Sequence, residues 1–148
     1  MKFNTKTIHG SKQNIDPAYN AVMPPIYQTS TFKQTKFGEH PQYDYARSSN
    51  PTRSILESTL ATLENGEFGM AFSSGLAAID AILKLFKPGD EIISTSDLYG
   101  GSYRLFTSIF EDFGLKFHFV DMNNAENIQQ HINKNTKLIW VETPTNPM

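Results

Sequence analysis

The alternation of short apolar runs with helical segments from Pro51 onward most limits what this chain can fold into. Strands that alternate with helices in this way predict βαβ units and a largely parallel sheet. We therefore expect an α/β fold. The runs that we predict as strands are Phe68–Ser73, Glu91–Ser96, Lys116–Val120 and Lys137–Glu142.

Helical spacing fills the intervals between these runs. Thr52 is placed to N-cap the first helix, whose apolar residues Ile55, Leu56, Leu60 and Leu63 share one face. Gly or Pro follows most of these segments, as expected where helices end. The predicted helices are Arg53–Leu63, Leu76 to about Phe86, Gly101–Phe113 and Ala125–Asn133.

Residues 1–50 have a different sequence pattern: prolines interrupt them, and apolar residues recur at neither helical nor strand spacing. We interpret them as an extended N-terminal arm that lies on another subunit. Residues 51–148 then form the first part of the α/β domain. No helix follows the final strand, although a parallel sheet needs both faces covered, so we expect the domain to be truncated at its C-terminus.

Composition narrows the class of protein further. The chain has 148 residues, a formal net charge of −2 and no cysteine. These values favour neither nucleic acid nor a membrane as partner, and they exclude a disulfide framework and a thiolate zinc site. No apolar run is long enough to span a bilayer, and the charged start has no apolar segment behind it. A cytoplasmic location is therefore expected.

The segment Phe72–Ala78 carries a possible anion site. A strand followed by Ser74-Gly75 and then a helix leaves free backbone N–H groups at the positive end of the helix dipole. Gly75 allows close approach, and Ser74 adds a hydroxyl. An ordinary N-cap is the alternative interpretation. Neither a Walker A loop nor the dinucleotide glycine pattern is present.

Three further segments carry polar or aromatic groups. Tyr45 and Arg47 point the same way in an extended segment and suit a phosphate or carboxylate, although a surface stack of the two is the better explanation when the pair is taken alone. Tyr99, before Gly100-Gly101, follows a strand and could lie flat against a ligand, or simply pack in a turn. Asn146 stands between two prolines after the last strand, where a rigid turn is the alternative. Together these groups suit a flat, phosphorylated aromatic cofactor.

These segments resemble the Cys/Met metabolism (trans-sulfuration) family of pyridoxal-phosphate enzymes. The resemblance runs in register through the whole chain, including the early segment Met23–Phe32. It implies the large domain of the aspartate aminotransferase-like fold, also called fold type I, with pyridoxal 5′-phosphate as cofactor. The segments that carry it are Tyr43–Arg53, Ser73–Ala78, Asp97–Phe106 and Val141–Pro147.

The resemblance also implies a role for each matching residue. Ser74, Gly75 and Leu76 would bind the cofactor phosphate, the last two through backbone N–H groups. Tyr45 and Arg47 would bind the same phosphate in the neighbouring subunit's site, and Arg47 would also lie near the substrate. Tyr99 would stack on the pyridine ring, take part in proton transfer and contact the substrate. Asn146 would contact the ring hydroxyl, and Arg104 and Glu142 would contact the substrate.

Three functional residues of the family have no counterpart among residues 1–148. The Asp that pairs with the pyridine nitrogen, the Schiff-base lysine and the Arg that holds the substrate carboxylate would lie further along a family chain. Lys134 and Lys137 do not have the serine context of the Schiff-base lysine. We therefore expect residues 1–148 alone to be inactive. A non-catalytic gene remnant is the competing interpretation, and the downstream DNA would distinguish the two.

The segment Asp97–Phe106 limits which member of the family this chain resembles. Methionine γ-lyases usually carry Cys where this chain has Gly101, so we do not expect that activity. The order of expectation is cystathionine γ-synthase or γ-lyase, then cystathionine β-lyase, then a sulfhydrylase. The substrate would be a small amino acid, and sites shared between subunits imply a homo-oligomer, usually a tetramer. A simple nucleotide-binding module is disfavoured because the glycine pattern is missing.

Overall fold

The computed structural model describes residues 1–11, 16 and 18–145 of the chain. They form two compact units, Met1–Ala71 and Phe72–Met148, which are described separately below. Within the described residues, no helix is both long and apolar enough to cross a membrane. The proposed boundary between an arm over residues 1–50 and a domain over 51–148 concerns contact with another subunit, and it stays a prediction.

The described residues of the first unit contain two helices, α1 (Phe3–His9) and α2 (Pro51–Leu63). Pro51 occupies the first turn of α2, where its missing N–H costs no helical hydrogen bond. Asn50 caps this helix, because its Oδ1 accepts a hydrogen bond from the N–H of Thr52 at 2.9 Å. Where the structure describes the rest of this unit, it is mostly irregular, with one antiparallel bridge between Thr31 and Tyr45.

The first unit departs from the sequence prediction in three ways. Helix α1 lies within the stretch that we expected to be extended, and Lys6 and His9 lie in its last turn, where positive charge is favourable. The N-cap of α2 is Asn50, not Thr52, whose hydroxyl instead accepts from the N–H of Tyr27 at 2.9 Å. Of the predicted apolar face, Ile55 is buried, but Leu56 and Leu60 are about half exposed.

The described part of the second unit is built on a parallel sheet of three strands, β1 (Glu91–Thr95), β2 (Lys116–Val120) and β3 (Thr136–Trp140), in the order β2–β1–β3. This confirms the α/β prediction. Strand β2 has the bounds that the sequence predicts, and the central strand β1 ends one residue earlier than expected. The elements in chain order are α3 (Gly75–Leu83), β1 (Glu91–Thr95), α4 (Gly100–Leu105), β2 (Lys116–Val120), α5 (Ala125–His131) and β3 (Thr136–Trp140).

The core of this unit lies between the sheet and the helices α3 and α4. Phe106 is fully buried at its centre, stacked on Phe117 at 4.7 Å between ring centroids and edge-on to Trp140 at 5.9 Å. Aromatic pairs at such distances add to the stabilisation that area burial provides. The other buried members of the cluster are Leu83, Ile92, Leu105, Phe110 and Leu115.

Two predicted elements of the second half are wrong in detail. Residues 68–73 form no strand, because they pair with no strand of the described chain, and the N–H of Ala71 donates to Glu57 Oε1 at 2.9 Å instead. The helix predicted over Gly101–Phe113 is α-helical only through Leu105. It continues as a π-helical turn, Phe106–Phe110, in which the N–H of Glu111 bonds the carbonyl of Phe106 at 3.0 Å.

Candidate functional site

Two loops meet at the carboxyl edge of the sheet, where open α/β folds bind ligands. The backbone N–H of Tyr99, after β1, donates to Glu142 Oε1, after β3, at 2.8 Å. The hydroxyl of Thr145 donates to Asp97 Oδ2 at 2.7 Å. These two hydrogen bonds connect the loops directly, so the position of the Tyr99 backbone depends on a carboxylate that lies 43 residues away in the chain.

The N-terminus of α3 lies at the same edge. Ser74 is its N-cap, with Oγ accepting from the N–H of Ala77 at 3.1 Å. Among the described residues, the N–H groups of Gly75 and Leu76 have no hydrogen-bond acceptor, and no acidic residue stands in the first turn. A side chain at Gly75 would meet no heavy atom within 4 Å, so the approach is open. Free donors at a helix N-terminus are suited to a phosphate.

Tyr99 presents its ring beside this helix end. The side chain is 48% exposed, and the ring lies directly over Gly101. A Cβ atom at Gly101 would collide with the ring carbon Cε1 of Tyr99, so only glycine is compatible with this ring position. By contrast, a Cβ at Gly100 would make only an ordinary contact of 3.6 Å with Nη1 of Arg104.

A single pocket of about 480 Å³ joins these features. Its volume lies in the range of small-molecule sites. Two of the residues that line it carry buried polar atoms without a partner among the described residues, Oγ of Ser102 and Nε1 of Trp140. The lining residues are Ser74, Gly75, Leu76, Ile79, Tyr99, Ser102, Trp140 and Glu142.

Tyr45 and Arg47 lie in the first unit. The guanidinium carbon of Arg47 is 5.1 Å from the centroid of the Tyr45 ring, which is the surface stack that we considered from the sequence. Both side chains are exposed, and among the described residues the Arg47 guanidinium has no carboxylate or carbonyl acceptor. Its donors therefore remain available for an anion.

The structure brings together only some of the residues that were expected at the site. Ser74, Gly75, Leu76, Tyr99 and Glu142 line the pocket. Arg104 is exposed and does not line it. Asn146 lies outside the described residues.

Sequence reasoning missed Ser102 and Trp140. Ser102 belongs to the segment Asp97–Phe106, but no local pattern shows which face of a helix turns toward a pocket. Trp140 was predicted only as part of a strand, and its indole N–H became a candidate only when its burial was visible.

The pocket fits a flat ligand that carries a phosphate. The helix terminus supplies anion donors, and the Tyr99 ring supplies a stacking surface. A parallel sheet with this pocket at its carboxyl edge defines an α/β domain with a candidate site suited to a phosphorylated ring cofactor.

Comparison with known proteins identifies the domain more closely. Residues 4–148 match the family described as Cys/Met metabolism PLP-dependent enzyme, and the chain belongs to that family. It is 48% identical over 148 residues to a cystathionine gamma-lyase of Bacillus subtilis, and covers 100% of its own length and 39% of that protein. It is 46% identical over 145 residues to a cystathionine beta-lyase of Coxiella burnetii, and covers 97% and 37% respectively.

A solved structure agrees with both the fold and the family. The chain aligns with the crystal structure of a cystathionine gamma-lyase from Lactobacillus plantarum, complexed with L-serine, at a TM-score of 0.91 and 46% identity. The alignment covers 99% of this chain and 38% of that one. The chain thus spans about two fifths of the length of these relatives. Pyridoxal 5′-phosphate is the cofactor of the family.

Proposed function

We propose that the protein is a pyridoxal-phosphate enzyme of trans-sulfuration, acting at the γ-carbon of its substrate as a cystathionine γ-lyase or γ-synthase. The observation that carries this proposal is the pocket in which the open N-terminus of α3 and the Tyr99 ring lie together. The substrates would be small amino acids: cystathionine, or an O-acylhomoserine with cysteine.

In this proposal, the backbone N–H groups of Gly75 and Leu76 bind the cofactor phosphate. Ser74 already accepts from Ala77, and its hydroxyl proton remains free to be donated to the same phosphate. When bound, pyridoxal phosphate supplies an electron sink for charge that develops on a substrate carbon. Tyr45 and Arg47 would contribute a phenol and a guanidinium to the phosphate of the neighbouring subunit.

The Tyr99 ring would stack on the pyridine ring, and Gly101 leaves the space that this requires. Its hydroxyl would hold or move a proton near the substrate. Glu142 fixes the backbone of Tyr99 and would lie close to the substrate. Arg104 would contact the substrate from the exposed side of α4, and Asn146 would bind the ring hydroxyl.

Further parts of the proposal concern the assembly. Shared phosphate binding requires at least a dimer, and we propose a homotetramer of two such dimers. A cytoplasmic location suits an enzyme of small amino acids. We also propose that residues 1–148 alone provide the phosphate and ring contacts without the Schiff-base lysine, so that a polypeptide restricted to these residues would release no product.

Cystathionine β-lyase is the second candidate, and the 46% identity to the Coxiella burnetii protein of that name supports it. The test is to supply cystathionine and pyridoxal phosphate to the protein expressed from its own gene. We expect 2-oxobutanoate, or cystathionine formation from an O-acylhomoserine and cysteine. Pyruvate as the only oxoacid would establish β-elimination in place of the proposed γ-chemistry. No product in either direction would contradict both candidates and favour a gene remnant.

A further inference from the structure

Arg53 lies in the first turn of α2, and its side chain reaches back to the segment that precedes the helix. Its Nη2 donates to the carbonyl of Ser48, and Nη1 lies 3.5 Å from the carbonyl oxygens of both Ala46 and Arg47. One guanidinium therefore faces three successive carbonyl groups. Those carbonyls belong to the turn that directly follows Tyr45.

The backbone of Arg53 belongs to the first turn of α2. Its side chain is only 35% exposed, and the 3.9 Å separation between Nε and Glu57 Oε1 makes that ion pair a weak one. Two hydrogen bonds connect the start of α2 to the backbone of Tyr27. The side chain of Asn50 donates to the carbonyl of Tyr27 at 3.1 Å, and the N–H of Tyr27 donates to the hydroxyl of Thr52 at 2.9 Å. Arg53 thus extends from a fixed helix end.

The turn itself presents Tyr45 and Arg47 outward. The carbonyl of Tyr45 accepts from the N–H groups of Ser48 and Ser49, both at 3.0 Å, which closes the turn on its inner side. The Arg47 guanidinium lies over the Tyr45 ring. Without Arg53, the carbonyls of residues 46–48 would lose their side-chain donor, and the turn that carries Arg47 would keep only its backbone hydrogen bonds.

From these contacts we infer that Arg53 is a positioning residue, which fixes the turn at Ala46–Ser48 so that Tyr45 and Arg47 face a phosphate together. The inference rests on the proposed role of that pair in cofactor binding. The forked, planar guanidinium is the reason that arginine is required, because it can address neighbouring acceptors in one plane. A lysine keeps the charge but concentrates its donors at one point.

The test measures the affinity of the cofactor-stripped protein, expressed from its own gene, for pyridoxal phosphate and for pyridoxal, which has no phosphate. We expect Arg53→Lys to weaken pyridoxal-phosphate binding by about tenfold, the equivalent of roughly one charge-assisted hydrogen bond. Pyridoxal binding should not change. Glu57→Gln is the matched control: it removes the ion pair but keeps the carbonyl contacts and an acceptor for Ala71, and it should bind both ligands as the parent does.

A double variant at Arg53 and Arg47 distinguishes a positioning role of Arg53 from other roles. In an Arg47→Ala background, Arg53→Lys should cost less pyridoxal-phosphate affinity than it does in the parent, because only the part that acts through Tyr45 remains. Equal loss of pyridoxal and pyridoxal-phosphate binding, together with a lower melting temperature, would overturn the inference in favour of a purely structural role. Unchanged binding in Arg53→Lys would overturn it in favour of a simple charge effect. If Arg47→Ala alone leaves pyridoxal-phosphate binding intact, the proposed phosphate role of the pair fails, and the inference fails with it.

Discussion

The backbone N–H of Tyr99 donates to the carboxylate of Glu142 at 2.8 Å, and this contact joins the loop after the central strand to the loop after an edge strand. A carboxylate 43 residues further along the chain therefore holds the backbone that carries the Tyr99 ring. In the proposed function, this hold helps the ring to lie flat against the cofactor.

Replacing Glu142 tests that relationship. Glu142→Ala should weaken pyridoxal-phosphate binding by about fivefold, because loss of one partly exposed hydrogen bond to a charged group costs roughly 1 kcal/mol. Glu142→Gln keeps an acceptor at the same position and should retain most of the affinity. Fluorescence titration of the cofactor-stripped protein measures both. Equal losses in the two variants would show that the charge of Glu142, and not its contact with Tyr99, matters.

The ring position of Tyr99 also depends on the absence of a side chain at residue 101. Gly101→Ala should displace the ring, because the new Cβ would collide with Cε1, and pyridoxal-phosphate affinity should fall by about tenfold, a cost of the size that overpacking produces. Gly100→Ala is the control, since its Cβ would meet only Arg104 Nη1 at 3.6 Å. Cofactor titration of both variants decides the matter: similar affinities would mean that the ring accommodates the methyl group.

The hydroxyl of Ser74 has a structural role that can be separated from phosphate binding. Ser74→Ala removes the N-cap of α3 and should lower the free energy of unfolding by about 1 kcal/mol in urea denaturation. Ser74→Asp restores a capping oxygen and should recover that stability. Its negative charge at the helix end should nevertheless weaken pyridoxal-phosphate binding. An Asp variant that binds the cofactor as the parent does would place the phosphate away from this helix.

The sequence predicts the second unit best where local signals are sufficient. Lys116–Val120 has the predicted bounds, and Ser74 and Gly75 begin a helix as expected. Residues 68–73 have the apolar character of a strand, but a strand requires a partner for its N–H and C=O groups, and no local pattern shows whether one is present. Likewise, the π-helical turn begins at Phe106, whose ring contacts Phe117 and Trp140, and no local pattern predicts contacts with strands so distant in the chain.

In the candidate site too, the sequence predicts what depends on local signals and misses what depends on contacts between distant segments. Residues next to strand ends, such as Tyr99 and Glu142, were predicted because parallel strands bring their carboxyl ends to one edge. The contact between them was not, since it depends on the order of the strands in the sheet. Arg53 was part of the segment that carried the family resemblance, but its contacts with three carbonyls depend on how the preceding chain turns.

A carboxylate at the opposite edge of the sheet should make stability depend on pH. Glu91 is buried, and hydrogen bonds from Asn133 and His118, both at 2.8 Å, hold its pKa at about 2, below the ordinary 4.5. A lowered pKa in the folded state means that the unfolded state binds the proton more tightly. The stabilisation from Glu91 is therefore complete above pH 4.5 and is lost as the pH falls toward about 2.

Comparison of Glu91→Gln with the parent protein should show this window directly. In urea denaturation, the variant should be less stable at neutral pH, and the difference should shrink steadily as the pH falls from 4.5 toward about 2. Glu111→Gln removes an exposed carboxylate instead and controls for the change in net charge. A difference between Glu91→Gln and the parent that stays constant across this range would mean that the ionised form is not favoured by Asn133 and His118, and that the cost of the substitution arises from packing alone.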